Sequence, residues 1–310
     1  MTDSSKNIAT KNVAPITGSI VAIVTPMLRD GALDLHAFNR LLDWHVESGT
    51  DAIVVVGTTG ESPTLTTPEH CDLIAHCVDY IAKRIPVIAG TGSNSTEEAL
   101  FYTDSAKQSG ADACLLVTPY YNRPTQEGMY QHFKLIAETI DIPQILYNVP
   151  GRTACDLHVN TVDRLADLKN IVGIKDATGD LARGKELIKR CGDRIAIYSG
   201  EDAISRELIL AGASGTISVT ANVAPVLMAQ MCALALAGDA AGSELVDARL
   251  ALLHRHLFIE PNPVPVKWAL HQMGRMQGGI RLPLVELDAK YHAQVLAALA
   301  QAGIHLSVAA

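Results

Sequence analysis

The sequence predicts an α/β fold, a closed (β/α)8 TIM barrel followed by a C-terminal helical domain, and three observations carry that prediction. Eight short runs rich in Val and Ile recur at roughly even spacing, amphipathic stretches separate them, and the strand signal stops after about residue 224, where Ala, Leu and charged residues take over. Short apolar runs between amphipathic segments are how fully buried parallel strands and their covering helices read along a chain, because both faces of such a sheet are packed. An open doubly wound sheet is the main rival, and the even spacing favours closure.

The runs are Ser19–Thr25, Ala52–Gly57, Pro86–Gly90, Ala113–Thr118, Gln144–Asn148, Ile171–Lys175, Ile195–Ser199 and Gly215–Val219. Between the fourth and fifth, Met129, Phe133, Ile136 and Ala137 recur at offsets of 4, 7 and 8 and so share one face of a helix. Thr67 before Pro68 marks a helix start, and Ser95 with Glu98 has the spacing of a capping box. Beyond the last run, helical stretches include Ser243–His254 and Val285–Ala300, while Pro261, Pro263 and Pro265 break the chain before a helix beginning near Val266. The expected division is a flexible N-terminal extension over 1–15, a barrel over 16–237 and a helical domain over 238–310.

At 310 residues and 48% hydrophobic, the chain is long and apolar enough to bury a large core. A formal net charge of −8 argues against a nucleic acid or an anionic membrane as partner, since either needs clustered Lys and Arg, and points to a small-molecule ligand. The six cysteines lack C-x-x-C spacing, so they read as small buried apolar residues and not as a zinc site or a redox pair. Residues Met1 to Asn12 are polar, with no apolar segment of a secretion signal, and no apolar run reaches the roughly 18 residues of a membrane span, so a cytoplasmic location is expected. None of the eleven histidines forms H-E-x-x-H or another compact ligand set, so no metal is expected. Gly90-Thr91-Gly92-Ser93 lacks the third glycine of a dinucleotide fingerprint and the Gly-Lys-Ser/Thr ending of a P-loop.

In such a barrel the reactive groups sit at the C-terminal ends of the strands. Lys175 ends the run Ile171-Val172-Gly173-Ile174, where a permanent charge would be costly and a neutral amine, the form that attacks a ketone, is favoured. The alternative is a lysine that reaches solvent or pairs with Asp176. Thr58 and Thr59 offer hydroxyls between glycines whose backbone amides a carboxylate can approach, or they form an ordinary polar turn. Tyr147 carries a phenol that can shuttle protons, or it caps the core. Arg152 follows in a Pro-Gly turn, where its planar fork can hold a carboxylate or bond nearby carbonyls. Tyr120 and Tyr121 sit at a loop apex and suit packing or a subunit contact.

Together, G-T-T-G-E-S at 57–62, T-P-Y-Y-N-R-P at 118–124, Y-N-V-P-G-R-T at 147–153 and G-I-K-D at 173–176, in this order and spacing, resemble the dihydrodipicolinate synthase family. The resemblance runs from about Gly18 to N-P-V-P-V-K at 262–267 and R-L-P-L at 281–284. It implies that Lys175 forms a Schiff base with pyruvate, that Thr59 and the Thr58–Thr59 backbone receive the pyruvate carboxylate, and that Thr58, Tyr147 and Tyr121 form a proton relay. In the family the Tyr121 equivalent crosses from a partner subunit, so the resemblance implies a homotetramer built as a dimer of dimers. Arg152 would hold the carboxylate of L-aspartate-4-semialdehyde, and Gly200 and Ile217 match further pocket positions. The implied product is 4-hydroxy-tetrahydrodipicolinate, in the first committed step of the diaminopimelate route to lysine. No cofactor is implied, because the protonated imine is the electron sink. Ser62, His70, Asn94, Glu98 and Tyr120 match positions of the family's allosteric cleft for L-lysine. Thr67 stands where many inhibited members carry histidine, and Pro63 replaces a commoner alanine.

Three other readings compete. Another pyruvate lyase of the superfamily, such as N-acetylneuraminate lyase or a keto-deoxy sugar acid aldolase, would share Lys175 and Tyr147 but generally lacks an arginine in the Arg152 turn. A noncatalytic relative would keep the barrel as a ligand sensor, which fold alone does not exclude. A metal-dependent aldolase is a third option.

Overall fold

The computed structural model describes residues 15–304 and 306, so the expected N-terminal extension, save its last residue, lies outside the described residues. All eight expected runs are strands: β1 (Gly18–Ala22), β2 (Ala52–Val55), β3 (Val87–Gly90), β4 (Ala113–Val117), β5 (Gln144–Asn148), β6 (Ile171–Asp176), β7 (Ala196–Ser199) and β8 (Gly215–Ser218). Each pairs in parallel with the next, and β8 pairs with β1, which closes the barrel. Several strands stop a residue or more short of the apolar run because the chain there already turns into the loops of the mouth; Val24, for example, gives its N–H to Asn222 Oδ1 at 3.0 Å.

Side chains alternate along each strand and make two apolar layers. Ile20, Ala22, Val54, Ile88, Leu115, Ile145 and Ile217 fill the interior. Val21, Ile53, Val55, Leu116, Leu146, Ile174 and Ile197 face outward to the helices. Those helices are α1 (Leu35–Glu47), α2 (Thr67–Ile81), α3 (Thr96–Gln108), α4 (Gln126–Thr139), the single turn α5 (Pro150–Thr153), α6 (Val159–Leu165), α7 (Leu181–Cys191), α8 (Ser205–Leu210) and α9 (Pro225–Leu236). Met129, Phe133, Ile136 and Ala137 are all buried on α4, as their spacing requires. From its place on β7 Tyr198 enters the barrel interior, and its hydroxyl reaches the N-terminal end, where it donates to Ile16 O at 2.7 Å. Gly173 makes room for it, since a Cβ there would stand 2.9 Å from the Tyr198 ring.

Helices α10 (Ala240–His256), α11 (Val264–Gln272) and α12 (His292–Gln301) follow the barrel, and α10 packs against both α9 and α12.

Four local expectations shift. The cap of α2 is Thr66, whose side chain and that of Glu69 form a reciprocal capping box, while Thr67 is the first helical residue. Ser95 does cap α3, but the Glu98 carboxylate accepts from the Ser93 hydroxyl instead of closing the box. An O–H two residues upstream is the better partner, and the Ser95 N–H meanwhile donates to Ser93 Oγ at 3.1 Å. Helix α11 starts at Val264, with Pro265 in its first turn, where a missing N–H leaves no helical bond unmade. Residues 285–288 are not helical; a 3-10 turn over Ala289–Tyr291, capped by Asp288, leads into α12. Of the cysteines, Cys71 and Cys155 are only half-buried, and the other four are buried as expected.

Candidate active site

Parallel register puts Lys175 beside Tyr147 of β5 on one side and Tyr198 of β7 on the other. Lys175 is 5% exposed, and its Nζ lies 4.3 Å from the centroid of the Tyr147 ring. The alternative in which Lys175 pairs with Asp176 or reaches solvent does not hold. Neighbours on a strand point to opposite faces, and Asp176 is committed on the outer one: Arg183 Nε donates to its Oδ2 at 2.8 Å and Asn148 Nδ2 at 3.2 Å. Gly200, at the end of β7, is what gives the lysine its space. A Cβ there would stand 2.9 Å from Lys175 Cε and 3.0 Å from Cγ, so any larger residue would push the amine aside.

Above this pair a cavity of about 320 Å³ opens at the C-terminal end of the barrel, lined among others by Thr58, Ser62, Tyr120, Tyr147, Arg152 and Thr153. Thr59, Lys175 and Ile217 are buried and are not part of that lining. The structure thus brings Thr58, Tyr147 and Arg152 together, and it places Ser62 and Tyr120 on the same wall. Arg152 is exposed at the rim on α5 and donates from Nη2 to Asn262 O at 3.2 Å, so the carbonyl contact weighed from the sequence is present beside an outward-facing fork. Tyr121 is 89% exposed, with a left-handed φ of 73°, and does not line the cavity of its own chain.

The remaining candidates cluster where β3 meets α2 and α3. His70 donates from Nε2 to Gly90 O at 2.9 Å and stacks on Tyr102 at 4.0 Å between centroids. Burial pulls its pKa down to about 4, with the Gly90 bond and the charge of Glu98 opposing, so the ring is neutral near pH 7. Tyr102 in turn shares a hydrogen bond with Thr67 Oγ1 at 3.2 Å. Asn94 O accepts from Asn122 Nδ2 at 2.8 Å, which ties the Tyr120–Asn122 loop to this cluster. Gly90 and Gly92 also line the cavity, so the cluster and the mouth share a wall.

Several residues that shape the mouth were assigned no role from the sequence. Asn262, just before α11, donates from Nδ2 to Thr59 Oγ1 at 3.0 Å and takes the Arg152 contact on its carbonyl, so it joins two of the expected binding residues. Glu61 forms a buried ion pair with Lys267 and accepts the Arg281 N–H at 3.2 Å. The Arg281 guanidinium pairs in two places with Glu69, at 2.8 and 2.6 Å. Glu61, Asn262, Lys267 and Arg281 all stand within the quoted motifs, which was the one available hint. Among the described residues no group of three or more His, Cys, Asp or Glu is arranged to hold a metal ion, and no helix is long and apolar enough to cross a membrane.

The chain as a whole is similar to known proteins of one family. The profile of the Dihydrodipicolinate synthetase family matches residues 15–302. A 4-hydroxy-tetrahydrodipicolinate synthase of Thioalkalivibrio sulfidiphilus is 60% identical over 290 residues, covering 94% of this chain and 99% of that one. The Pseudomonas aeruginosa protein of the same name is 58% identical over 289 residues, 93% and 99% of the two chains. Among solved structures, the chloride-inhibited dihydrodipicolinate synthase of Acinetobacter baumannii, complexed with pyruvate, has a TM-score of 0.93 at 56% identity and covers 94% of this chain and 100% of its own. The Cyanidioschyzon merolae structure with lysine bound has a TM-score of 0.90 at 36% identity, covering 94% and 99%.

Proposed function

We infer, for a chain that belongs to the dihydrodipicolinate synthetase family, that it condenses pyruvate with L-aspartate-4-semialdehyde through a Schiff base on Lys175 and releases 4-hydroxy-tetrahydrodipicolinate. The single observation that carries this is the buried Lys175 amine set against the Tyr147 ring, in space that Gly200 leaves open, directly under a cavity with an arginine at its rim.

The chemistry follows from those groups. The Lys175 amine adds to C2 of pyruvate, and the carbinolamine loses water to give a protonated imine, which draws electrons from C3. A C3 proton leaves, and the enamine attacks the aldehyde carbon of the semialdehyde, whose oxygen takes up a proton. The substrate's own amine then attacks the imine carbon, closing the ring and freeing Lys175. Tyr147 and Thr58 are positioned to pass these protons, and Thr59 with the Thr58–Thr59 backbone receives the pyruvate carboxylate. Arg152 meets the semialdehyde carboxylate at the rim with its exposed fork. Ile217 closes the apolar wall beneath.

Tyr121 completes the relay from a second subunit, which is consistent with an aromatic ring 89% exposed on a strained loop. The assembly we infer is a homotetramer made of two such dimers, working in the cytoplasm. The cluster of Ser62, His70, Asn94, Glu98 and Tyr120 is the proposed site for L-lysine as an effector; a relative has been solved with lysine bound, and here Thr67 contacts Tyr102.

The test is reduction with borohydride in the presence of pyruvate, followed by peptide mapping. An adduct on Lys175 is expected, and a reductase-coupled assay should then consume NADPH only when semialdehyde is present. A protein that gains no adduct under saturating pyruvate would be the ligand sensor instead.

A further inference from the structure

Glu61 and Lys267 form an ion pair that the reaction above does not use. Their side chains are 0% and 3% exposed, and the residues stand 206 positions apart, so the contact ties the β2–α2 loop to α11 in the last part of the chain. Burying two charges is expensive, and a buried pair commonly does no better than apolar packing of the same volume, so stability alone gives little reason for it. Burial pulls the Lys267 pKa down while the Glu61 carboxylate holds it up.

The loop it grips is the one that carries Thr58 and Thr59. Glu61 follows Thr59 by two residues, has φ 58°, and returns its N–H to Thr58 O at 3.1 Å. The tight turn is held from outside at three points: Thr25 Oγ1 donates to Gly60 O at 2.7 Å, Asn262 Nδ2 donates to Thr59 Oγ1, and Lys267 takes the Glu61 carboxylate. The second Glu61 oxygen accepts the Arg281 N–H, so the carboxylate is fixed from two directions. An unneutralised carboxylate so near Thr59 would also repel an anionic keto acid.

We propose that the Glu61–Lys267 pair is a positioning device that sets the Thr58–Thr59 turn over Lys175 and screens it for an anionic substrate. This rests on the proposed Schiff-base reaction at Lys175, with Thr58 and Thr59 as its relay and carboxylate-binding residues. It separates the two substrates, because Arg152 sits on α5 and meets this turn only through Asn262, whose carbonyl it bonds, and not through the Glu61–Lys267 pair.

The experiment titrates pyruvate and semialdehyde separately in the coupled assay for the wild type, Lys267→Met, Glu61→Gln/Lys267→Met and Glu61→Asp, with thermal unfolding of each. Lys267→Met should lower Tm and raise the KM for pyruvate roughly ten-fold, since a small displacement of a binding group is costly. The double variant leaves no unpaired charge, so its Tm should recover while the pyruvate KM stays about five-fold high and the semialdehyde KM moves by less than about two-fold. Glu61→Asp keeps the charge but shortens the strut by one methylene, and should raise the pyruvate KM about three-fold without loss of folding. Wild-type constants in Glu61→Asp, or in a double variant of restored Tm, would reduce the pair to a stability element and overturn the inference. Borohydride trapping on wild-type Lys175 tests the underlying reading separately, so failure of one is told apart from failure of the other.

Discussion

The two ends of the barrel are built on opposite plans. At the N-terminal end the interior is filled by Ala196, Tyr198 and aliphatic side chains, and the Tyr198 hydroxyl reaches a backbone carbonyl of the chain that leads into β1. At the C-terminal end the decisive contacts are polar and long-range: Asn262 to Thr59, Arg152 to Asn262, Lys267 to Glu61. One end is packed to hold the strands in register, and the other is braced to hold reactive groups apart from one another and open to a ligand. Damage at the first should read out in stability, and damage at the second in turnover.

The sharpest way to break that contrast is Lys175→Ala. Removing the nucleophile should cost about four orders of magnitude or more in kcat while Tm changes little, measured by the coupled assay and by calorimetry. Wild-type rates would mean that the electron sink lies elsewhere. Next, Arg152→Ala should lower kcat/KM for the semialdehyde by about a hundred-fold, close to 2.7 kcal/mol at 1.36 kcal/mol per decade. Borohydride trapping of pyruvate should survive in that variant, and undiminished semialdehyde turnover would return the choice to the other pyruvate lyases. At the opposite end, Tyr198→Phe removes the donor to the part-buried Ile16 carbonyl and should cost about 0.5–1.5 kcal/mol of stability in urea unfolding with kcat within about two-fold. A loss of turnover instead would show that the two ends are not independent.

The packed end is also tested with pH. His45, buried where α1 returns to the floor, has its pKa lowered by desolvation to about 3, and shares a hydrogen bond with Thr50 Oγ1 at 2.9 Å. The unfolded chain binds this proton below about pH 6.5 and the folded one does not, so stability is full above that value and falls as pH drops toward 3. Each pH unit in that window costs up to about 1.4 kcal/mol for this group. Unfolding followed from pH 7 to 5 should show that slope, reduced in His45→Asn, with no change in kcat at pH 7.

What the chain discloses about itself follows the same division. All eight strands are legible because a doubly covered strand needs an unbroken apolar run, a purely local requirement. Lys175, Tyr147 and Arg152 stand out because they interrupt or follow such runs. The α2 cap at Thr66 was displaced by one residue because two adjacent threonines compete for one role, and the 285–288 segment looked helical because its apolar residues do not reveal that Val285 stays 61% exposed. Glu61, Asn262 and Lys267 were invisible as partners for a different reason. A contact across 206 positions leaves no periodicity, and each residue alone looks like ordinary loop polarity.

A tube stoppered at one end has a single doorway. With Tyr198 and buried aliphatic side chains filling the interior, the keto acid, the aldehyde, the water expelled when the imine forms and the cyclic product pass through the opening beneath Arg152. Traffic through it is therefore ordered on the way in: whatever bonds to the deepest amine has to arrive before the molecule that settles above it, and an early second visitor would bar the way.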